Sequence, residues 1–224
     1  MNYQIFRILE RSEVSRIVEG LRERTFVDGK ATARGAARDV KHNLQVERTG
    51  PELSDLDQLV IAALRRNSDF MAFVIPKRMM YPIFSRYEPG MEYGTHVDDA
   101  VMGGVAGDPL RTDFSLTLFL SPPETYDGGE LVLELPVGEQ EIKLEAGEAI
   151  VYHAGSLHRV SPVTRGVRLA AIVWVQSMVR DESLRDILHS LFLASQLAES
   201  SSDTALRRML SKSYHNLLRY AVEP

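Results

Sequence analysis

Cysteine is absent from this 224-residue chain. That one gap removes disulfides, thiolate metal sites, iron–sulfur clusters and cysteine nucleophiles together, so any metal must be bound through nitrogen and oxygen. A basic excess is missing too. The 26 Lys and Arg stand against 31 Asp and Glu, a net charge of −5, which lacks the global field that tracks a phosphate backbone. No apolar run approaches the ~20 residues of a membrane-spanning helix. The start, Met1-Asn2-Tyr3-Gln4-Ile5, has no basic segment ahead of an apolar stretch, which argues against a secretory signal. Repeats and low-complexity tracts are also absent. The expectation is a cytoplasmic protein without membrane contact. What is present is an ordinary globular composition, 44% hydrophobic and 25% charged, long enough to bury one full core.

Three regions differ in pattern. From about residue 1 to 67 two helices are expected. The first is capped by Ser12 and carries Val14, Ile17, Val18 and Leu21 at helical spacing. The second opens on Ser54 with Asp57 as a capping box, buries Leu56, Leu59, Val60, Ala63 and Leu64, and closes on Arg65-Arg66-Asn67. Asn43-Leu44-Gln45-Val46 reads as a short strand between them. From Phe70 to Ser177 the chain reads as short strands broken by Gly and Pro: Phe70 to Phe84, Asp113 to Leu120, Leu131 to Glu134, Glu141 to Leu144, Ala149 to Tyr152, Leu157 to Val163 and Val167 to Gln176. That density indicates a sandwich or jelly roll. From Asp181 helical period returns, with Leu184, Ile187, Leu188, Leu191 and Phe192 on one stripe. Leu206, Met209, Leu210, Leu217 and Leu218 form another, beyond a break capped by Ser202 or Asp203. The expected division is a β domain with N-terminal helices over 1–177 (core about 78–177), and a C-terminal helical extension over 178–224. That extension either packs back on the barrel or forms a homodimer contact.

Chemistry concentrates in four residues. His96 and Asp98 are two apart, so in a strand they project from one face, while Val97 turns away into packing. Sixty residues after Asp98 stands His158, at the start of a later strand. Two imidazoles and one carboxylate are the donor set of a facial iron(II) site that keeps open positions. Alone, a His-x-Asp pair is more often a surface hydrogen bond; the distal histidine and Arg168, ten residues beyond it, change the balance. Leu157–Val163 and Val167–Gln176 read as a hairpin around Thr164-Arg165-Gly166. In the second strand Arg168, Ala170, Ile172, Trp174 and Gln176 share the inward face. A buried arginine needs an anion, and its planar fork meets a carboxylate two-pronged. The competing account is a salt bridge within the chain.

The segments Ser85-Arg86-Tyr87-Glu88-Pro89-Gly90-Met91-Glu92-Tyr93-Gly94-Thr95-His96-Val97-Asp98, Asp127-Gly128-Gly129-Glu130-Leu131 and Ser156-Leu157-His158-Arg159-Val160 resemble the iron(II)- and 2-oxoglutarate-dependent dioxygenases related to prolyl 4-hydroxylase. Ser161-Pro162-Val163-Thr164-Arg165-Gly166-Val167-Arg168 and Trp174-Val175-Gln176-Ser177 are similar to the bacterial PKHD-type hydroxylases within that group. The resemblance covers essentially the whole chain. It implies a mainly β fold with flanking helices: a double-stranded β-helix, or jelly roll, with the N-terminal helices packed on it. It also implies iron(II) on His96, Asp98 and His158 and 2-oxoglutarate on Arg168, where the wider family often carries lysine.

The implied reaction consumes O2, decarboxylates 2-oxoglutarate to succinate and CO2, and hydroxylates a second substrate, peptidyl proline or a small molecule such as a siderophore-type ligand. L-ascorbate is the expected reductant. Tyr87 stands where related enzymes place a hydroxyl beside 2-oxoglutarate, or is a core aromatic. Trp174 walls the substrate pocket or packs the core. Asp99 orients a ligand or is solvated. His42, His153, His189 and His215 are read as loop residues or as lying outside the strand core. The glycine-rich stretch from Ala100 to Asp113 is a candidate lid or a connector. Two other functions compete: a non-catalytic metal-binding jelly-roll sensor, and a nucleic-acid base demethylase, against which the acidic balance argues.

Overall fold

The computed structural model describes residues 3–48, 54–103 and 109–223. The chain opens with β1 (Tyr3–Arg7), α1 (Arg11–Arg22), β2 (Phe26–Asp28), α2 (Gly35–Asp39), β3 (Lys41–His42) and β4 (Leu44–Val46). Two helices, α3 (Asp55–Arg66) and α4 (Ser68–Val74), lead into β5 (Pro76–Met79), β6 (Ile83–Tyr87) and β7 (Glu92–His96). A small ribbon, β8 (Val101–Met102) with β9 (Leu110–Arg111), precedes β10 (Phe114–Phe119), β11 (Asp127–Gly128), β12 (Leu131–Leu135) and β13 (Gly138–Ile142). Then come β14 (Glu148–His153), β15 (His158–Val160), β16 (Val163–Arg165) and β17 (Arg168–Ser177), and finally α5 (Glu182–Ala198) and α6 (Thr204–Ala221).

Two antiparallel sheets face each other, the arrangement of a double-stranded β-helix. The major sheet runs β1-β14-β10-β17-β6-β4-β2, with β5 also on β17, and the minor sheet runs β13-β12-β15-β7-β3. Each major-sheet strand sorts its side chains by the two-residue period. In β10, Phe114, Leu116 and Leu118 turn outward and join Ile17 of α1, Leu56, Val60 and Leu64 of α3, and Phe70 and Phe73 of α4 in the largest core. Fully burying one such leucine contributes about 1.5–3 kcal/mol. The inward face carries Ser115, Thr117 and Phe119 instead, and Phe119 packs with Tyr87, Leu131, Tyr152 and Val160 between the sheets.

Several sequence expectations are corrected. The N-cap of α1 is Glu10, whose N–H donates to the Glu13 carboxylate (2.9 Å), rather than Ser12, which lies inside the helix. The Ser54–Asp57 box forms as expected, with Asp57 N–H on Ser54 Oγ (3.2 Å) and Ser54 N–H on the Asp57 carboxylate (2.8 Å). Phe70 to Phe84 is not all extended: Asn67 accepts from the Phe70 N–H (2.8 Å) and starts α4. Its apolar run is too short for periodicity to tell helix from strand.

Leu157–Val163 is two strands, and its hairpin with Val167–Gln176 does not exist. β15 pairs with β12 and β7 in the minor sheet, whereas β17 pairs with β10, β6 and β5 in the major one. The helical extension packs back on the barrel: Val179 and Leu188 meet Ile75, with Tyr214, Leu217 and Leu218 of α6 against them. Leu197, Met209 and Tyr220 stay exposed. No helix among the described residues is long and apolar enough to cross a membrane.

Candidate metal centre

β7 ends on His96 and β15 begins on His158, and the two are partners across the minor sheet. Their rings lie 4.3 Å apart. Asp98 is not in the strand; it follows the end of β7, and its Oδ1 stands 3.9 Å from His158 Nε2. One ligand atom from each of the three lies within 4.8 Å of the others. With metal–ligand bonds of ~2.0–2.2 Å, small side-chain movements bring all three onto one cation. Val97 departs from expectation: it is 46% exposed, at the cavity mouth rather than in packing.

The histidines are pre-oriented. Each Nδ1 lies against the carbonyl two residues back, Gly94 O for His96 (2.8 Å) and Ser156 O for His158 (3.0 Å). An Nδ1–H donor there fixes the tautomer and leaves Nε2 as the free lone pair. Burial, then the neighbouring His158, holds His96 well below the usual histidine value, so it is a neutral donor near pH 7. Asp98 Oδ2 is buried and without a hydrogen-bond partner. A buried carboxylate and two imidazoles converging on one point are a nitrogen and oxygen donor set that fits a divalent metal.

Aromatic rings brace the pair. Tyr93 stacks on His96, with centres 3.6 Å apart and an interplanar angle of 15°. Tyr152 meets His158 edge-on at 5.1 Å. Burial raises the phenols of both tyrosines, so both are neutral. Sequence reasoning missed both rings, since a tyrosine in a strand carries no signal of what it stacks against.

Arg168 begins β17 and is 1% exposed, opposite Tyr87 on β6. Its guanidinium carbon lies 5.1 Å from the Tyr87 ring centre and 5.2 Å from that of Phe119. Its Nε and Nη2 are buried without a hydrogen-bond partner, and no described carboxylate comes within 4.0 Å of it, so the in-chain salt bridge is not found. Gly129 makes room for it: at φ +67° a Cβ there would stand 2.9 Å from Arg168 Cδ and 3.0 Å from Val163 Cγ2. The triad, Arg168, Tyr87 and Trp174 line one cavity of about 450 Å³. Trp174 is half-buried, and its Nε1 has no partner.

The remaining candidates stay outside the cluster. Asp99 is exposed, and its carbonyl accepts from Thr112 Oγ1 (2.7 Å). His42 is in β3 and His153 ends β14, so neither is a loop residue; His189 is buried in α5 and His215 is exposed on α6. Val101, Met102 and Gly103 of the glycine-rich stretch border the cavity. Its tip, residues 104–108 with Gly104 and Gly107, lies outside the described residues.

Residues 82–176 match the model of the 2OG-Fe(II) oxygenase superfamily. A PKHD-type hydroxylase of Paraburkholderia xenovorans (strain LB400) is 48% identical over 200 residues, 89% of this chain and 88% of that protein. The chain belongs to the PKHD-type hydroxylases. A second relative, a PKHD-type hydroxylase of Rippkaea orientalis (strain PCC 8801 / RF-1), is 44% identical over 216 residues, 96% of each chain. A prolyl-4-hydroxylase of Pseudomonas putida shares the fold of this hydroxylase, with a TM-score of 0.58 at 21% identity over 79% of this chain and 92% of that one. The non-heme alpha ketoglutarate dependent epimerase SnoN superposes with a TM-score of 0.53 at 18% identity, covering 80% of this chain and 77% of that one. One scaffold thus carries a hydroxylase and an epimerase, so likeness of fold does not name the substrate. Membership makes this hydroxylase an oxidoreductase of a family that works with iron(II) and 2-oxoglutarate.

Proposed function

We propose that His96, Asp98 and His158 hold ferrous iron, that Arg168 holds the C5 carboxylate of 2-oxoglutarate, and that the enzyme couples 2-oxoglutarate decarboxylation to hydroxylation of a second substrate. The observation that carries this is the buried guanidinium in the same cavity as the triad. It has the Tyr126 hydroxyl beside it but no described carboxylate, and its Nε and Nη2 meet hydrogen-bond geometry with no described group. A metal site that only sensed or stabilised would have no use for an interior anion clamp. The catalytic unit is 1–177, and 178–224 is its helical extension.

When bound, iron with 2-oxoglutarate and O2 supplies the oxidant for a C–H bond. The chain supplies the rest. Nδ1 contacts to Gly94 and Ser156 aim both imidazoles. Arg168 fixes one end of the co-substrate and so sets where its other end meets the metal. Tyr87, Phe119 and Tyr152 keep water from that end. Ser115 Oγ, which lies beside the Tyr152 hydroxyl but meets hydrogen-bond geometry with no described group, and the Tyr87 hydroxyl are polar groups available to 2-oxoglutarate beside Arg168. Trp174 walls the space left for the second substrate, a peptidyl proline or a small molecule such as a siderophore-type ligand. Ascorbate acts only as a solution reductant for the iron.

The test is succinate release from 2-oxoglutarate with iron(II). The His96→Ala protein is expected to lose iron binding by well over the ~10–100-fold typical of an outer-sphere change, and succinate formation with it. Full turnover by that variant overturns the assignment.

A further inference from the structure

β3 and β4 join the two sheets, β3 pairing with β7 in the minor sheet and β4 with β6 in the major one. Along this bridge the expected burial pattern is inverted. Lys41, Asn43 and Gln45, spaced by two and so on one face, are 5%, 2% and 5% exposed. His42 is exposed, and Leu44 and Val46 are only half-buried. All three polar residues line the cavity that holds the triad and Arg168. Polar groups buried in this way call for hydrogen-bond partners.

Gln45 has its partners within the protein: Oε1 accepts from Thr32 Oγ1 (2.6 Å) and Nε2 donates to Ser85 Oγ (3.4 Å). Lys41 does not. Its Nζ donates to Thr32 Oγ1 (2.9 Å) and lies 5.0 Å from the centre of the Tyr93 ring. No described carboxylate is within 4.0 Å of it. An ammonium has three donors, so two lack a described partner. The Asn43 amide lies beside the Tyr87 hydroxyl, yet meets hydrogen-bond geometry with no described group. Burial pulls the Lys41 ammonium down to about 8, with Asp98 and Asp28 acting the other way; at pH 7 it carries its charge.

The charges of the cavity then set the ligand. Of the charged residues lining it, Arg24, Arg34, Glu47, Arg48 and Asp99 are exposed to water, and Asp57 is paired with Arg48. Among the buried remainder Asp98 and Arg168 cancel, and iron(II) and dianionic 2-oxoglutarate cancel. Lys41 is left over. A monoanion neutralises it, whereas a phosphate dianion would bring surplus charge into a low-dielectric space.

We propose that Lys41, with Asn43 beside it, is a specificity determinant that binds a carboxylate of the substrate being oxidised, and hence that this substrate is a small monoanionic acid rather than an internal stretch of neutral peptide. This rests on the oxygenase reading above. The Tyr93 ring that Lys41 overlies is the ring stacked on His96, so an acid held there lies next to the metal.

The test uses the full chain loaded with manganese(II) and saturating 2-oxoglutarate. Trp174, the only tryptophan, reports binding from within the cavity by its fluorescence. The probes are matched pairs: N-acetyl-proline with its amide, and benzoate with benzamide. The acids are expected to bind about ten- to a hundredfold tighter than the neutral partners. Lys41→Arg should keep that preference and Lys41→Met should abolish it. No preference for acids in the wild-type protein, or a preference that survives Lys41→Met, overturns the proposal. A Lys41→Met defect that falls on 2-oxoglutarate affinity instead would make Lys41 a co-substrate contact and overturn it equally. The Arg168→Met protein separates the underlying reading. If it binds 2-oxoglutarate normally, the oxygenase site is wrong, while the acid–amide contrast still judges Lys41 on its own.

Discussion

Replacing Arg168 by methionine should divide stability from co-substrate binding, because the residue is buried but not paired. A salt-bridged arginine at 1% exposure would leave an uncompensated charge when its partner was stranded, a loss of about 3–5 kcal/mol. Arg168 has no such partner. Its removal relieves two buried, unsatisfied nitrogens, each costing about 1–3 kcal/mol. Against that stands the loss of two cation–π contacts, to Tyr87 and Phe119, at about 0.5–2 kcal/mol each. Methionine keeps much of the volume, so the cavity term is small. The midpoints, about 4 against about 2.5 kcal/mol, leave a net stabilisation of about 1.5 kcal/mol. For a chain of this length that is a melting shift of no more than a few degrees, at roughly 2–4 °C per kcal/mol.

The 2-oxoglutarate-bound state loses a charge-assisted two-pronged pair in a dry site, and truncating one partner of such a pair costs about 2–5 kcal/mol. This raises the 2-oxoglutarate requirement by roughly 30- to several-thousand-fold. Two measurements decide it: thermal melting of the ligand-free protein, and succinate release as a function of 2-oxoglutarate. A ligand-free Arg168→Met protein that melts more than ten degrees lower, with an unchanged 2-oxoglutarate requirement, would refute the reasoning. Arg168 would then be a structural cation.

Gly129→Ala puts a Cβ against Arg168 Cδ at a positive φ. The expected result is a weaker grip on 2-oxoglutarate together with a loss of about 1–3 kcal/mol from backbone strain, read by melting and by the succinate assay; unchanged 2-oxoglutarate affinity would show that Arg168 is not placed by this contact. For the metal-free protein, His96 lies below its usual 6.5 in the fold, so the unfolded chain takes up the proton first. The stability it contributes is whole above about 6.5 and is lost as pH falls from there toward the folded value. Metal loading needs the same neutral ring, and in the fold that ring takes up a proton only near about 4. The His96 share of the rise in melting temperature on adding manganese(II) should therefore hold down to about pH 5 and fall away as pH approaches about 4. A rise that is unchanged through about pH 4 would exclude His96 as a ligand.

The fold class and the site were legible for different reasons. Strand density between Phe114 and Ser177 and the helical stripes at either end follow from side-chain period alone, and both appear in the structure. The His96–His158 cluster was legible because donor type and spacing are chemically narrow. Other features depend on tertiary contacts that no local pattern encodes. The choice between hairpin and cross-sheet pairing for β15 and β17 is one. Thr164-Arg165-Gly166 reads as a turn, but Thr164 and Arg165 belong to β16, which pairs with β11, and only these sheet partners decide. Lys41 and Asn43 are another. In sequence Asn43 stands in an expected short strand and Lys41 just before it, with nothing to say which face is buried, yet β3 and β4 bridge two sheets and turn that face inward. Ser115 and Thr117 did carry a faint signal: hydroxyls alternating with leucines in a strand buried on both faces mark an interior that is not a dry core.

The buried polar groups without partners point the same way. Ten described residues hold at least one such atom, and six of them, Asn43, Asp57, Asp98, Ser115, Arg168 and Trp174, line one cavity. Buried side-chain polar atoms are hydrogen-bonded in the large majority of native structures, so a concentration of exceptions in one place is a cost the fold carries for a ligand. Metal, co-substrate and substrate each remove part of that cost. Each therefore stabilises the folded protein by mass action, about 2.7 kcal/mol at a hundredfold excess over Kd. Because the metal brings two positive charges and 2-oxoglutarate two negative ones, these two ligands favour one another's binding: either that enters alone leaves surplus charge in a low-dielectric space. A protein that binds 2-oxoglutarate equally well with and without divalent metal would contradict this coupling, and with it the idea that these groups form one site.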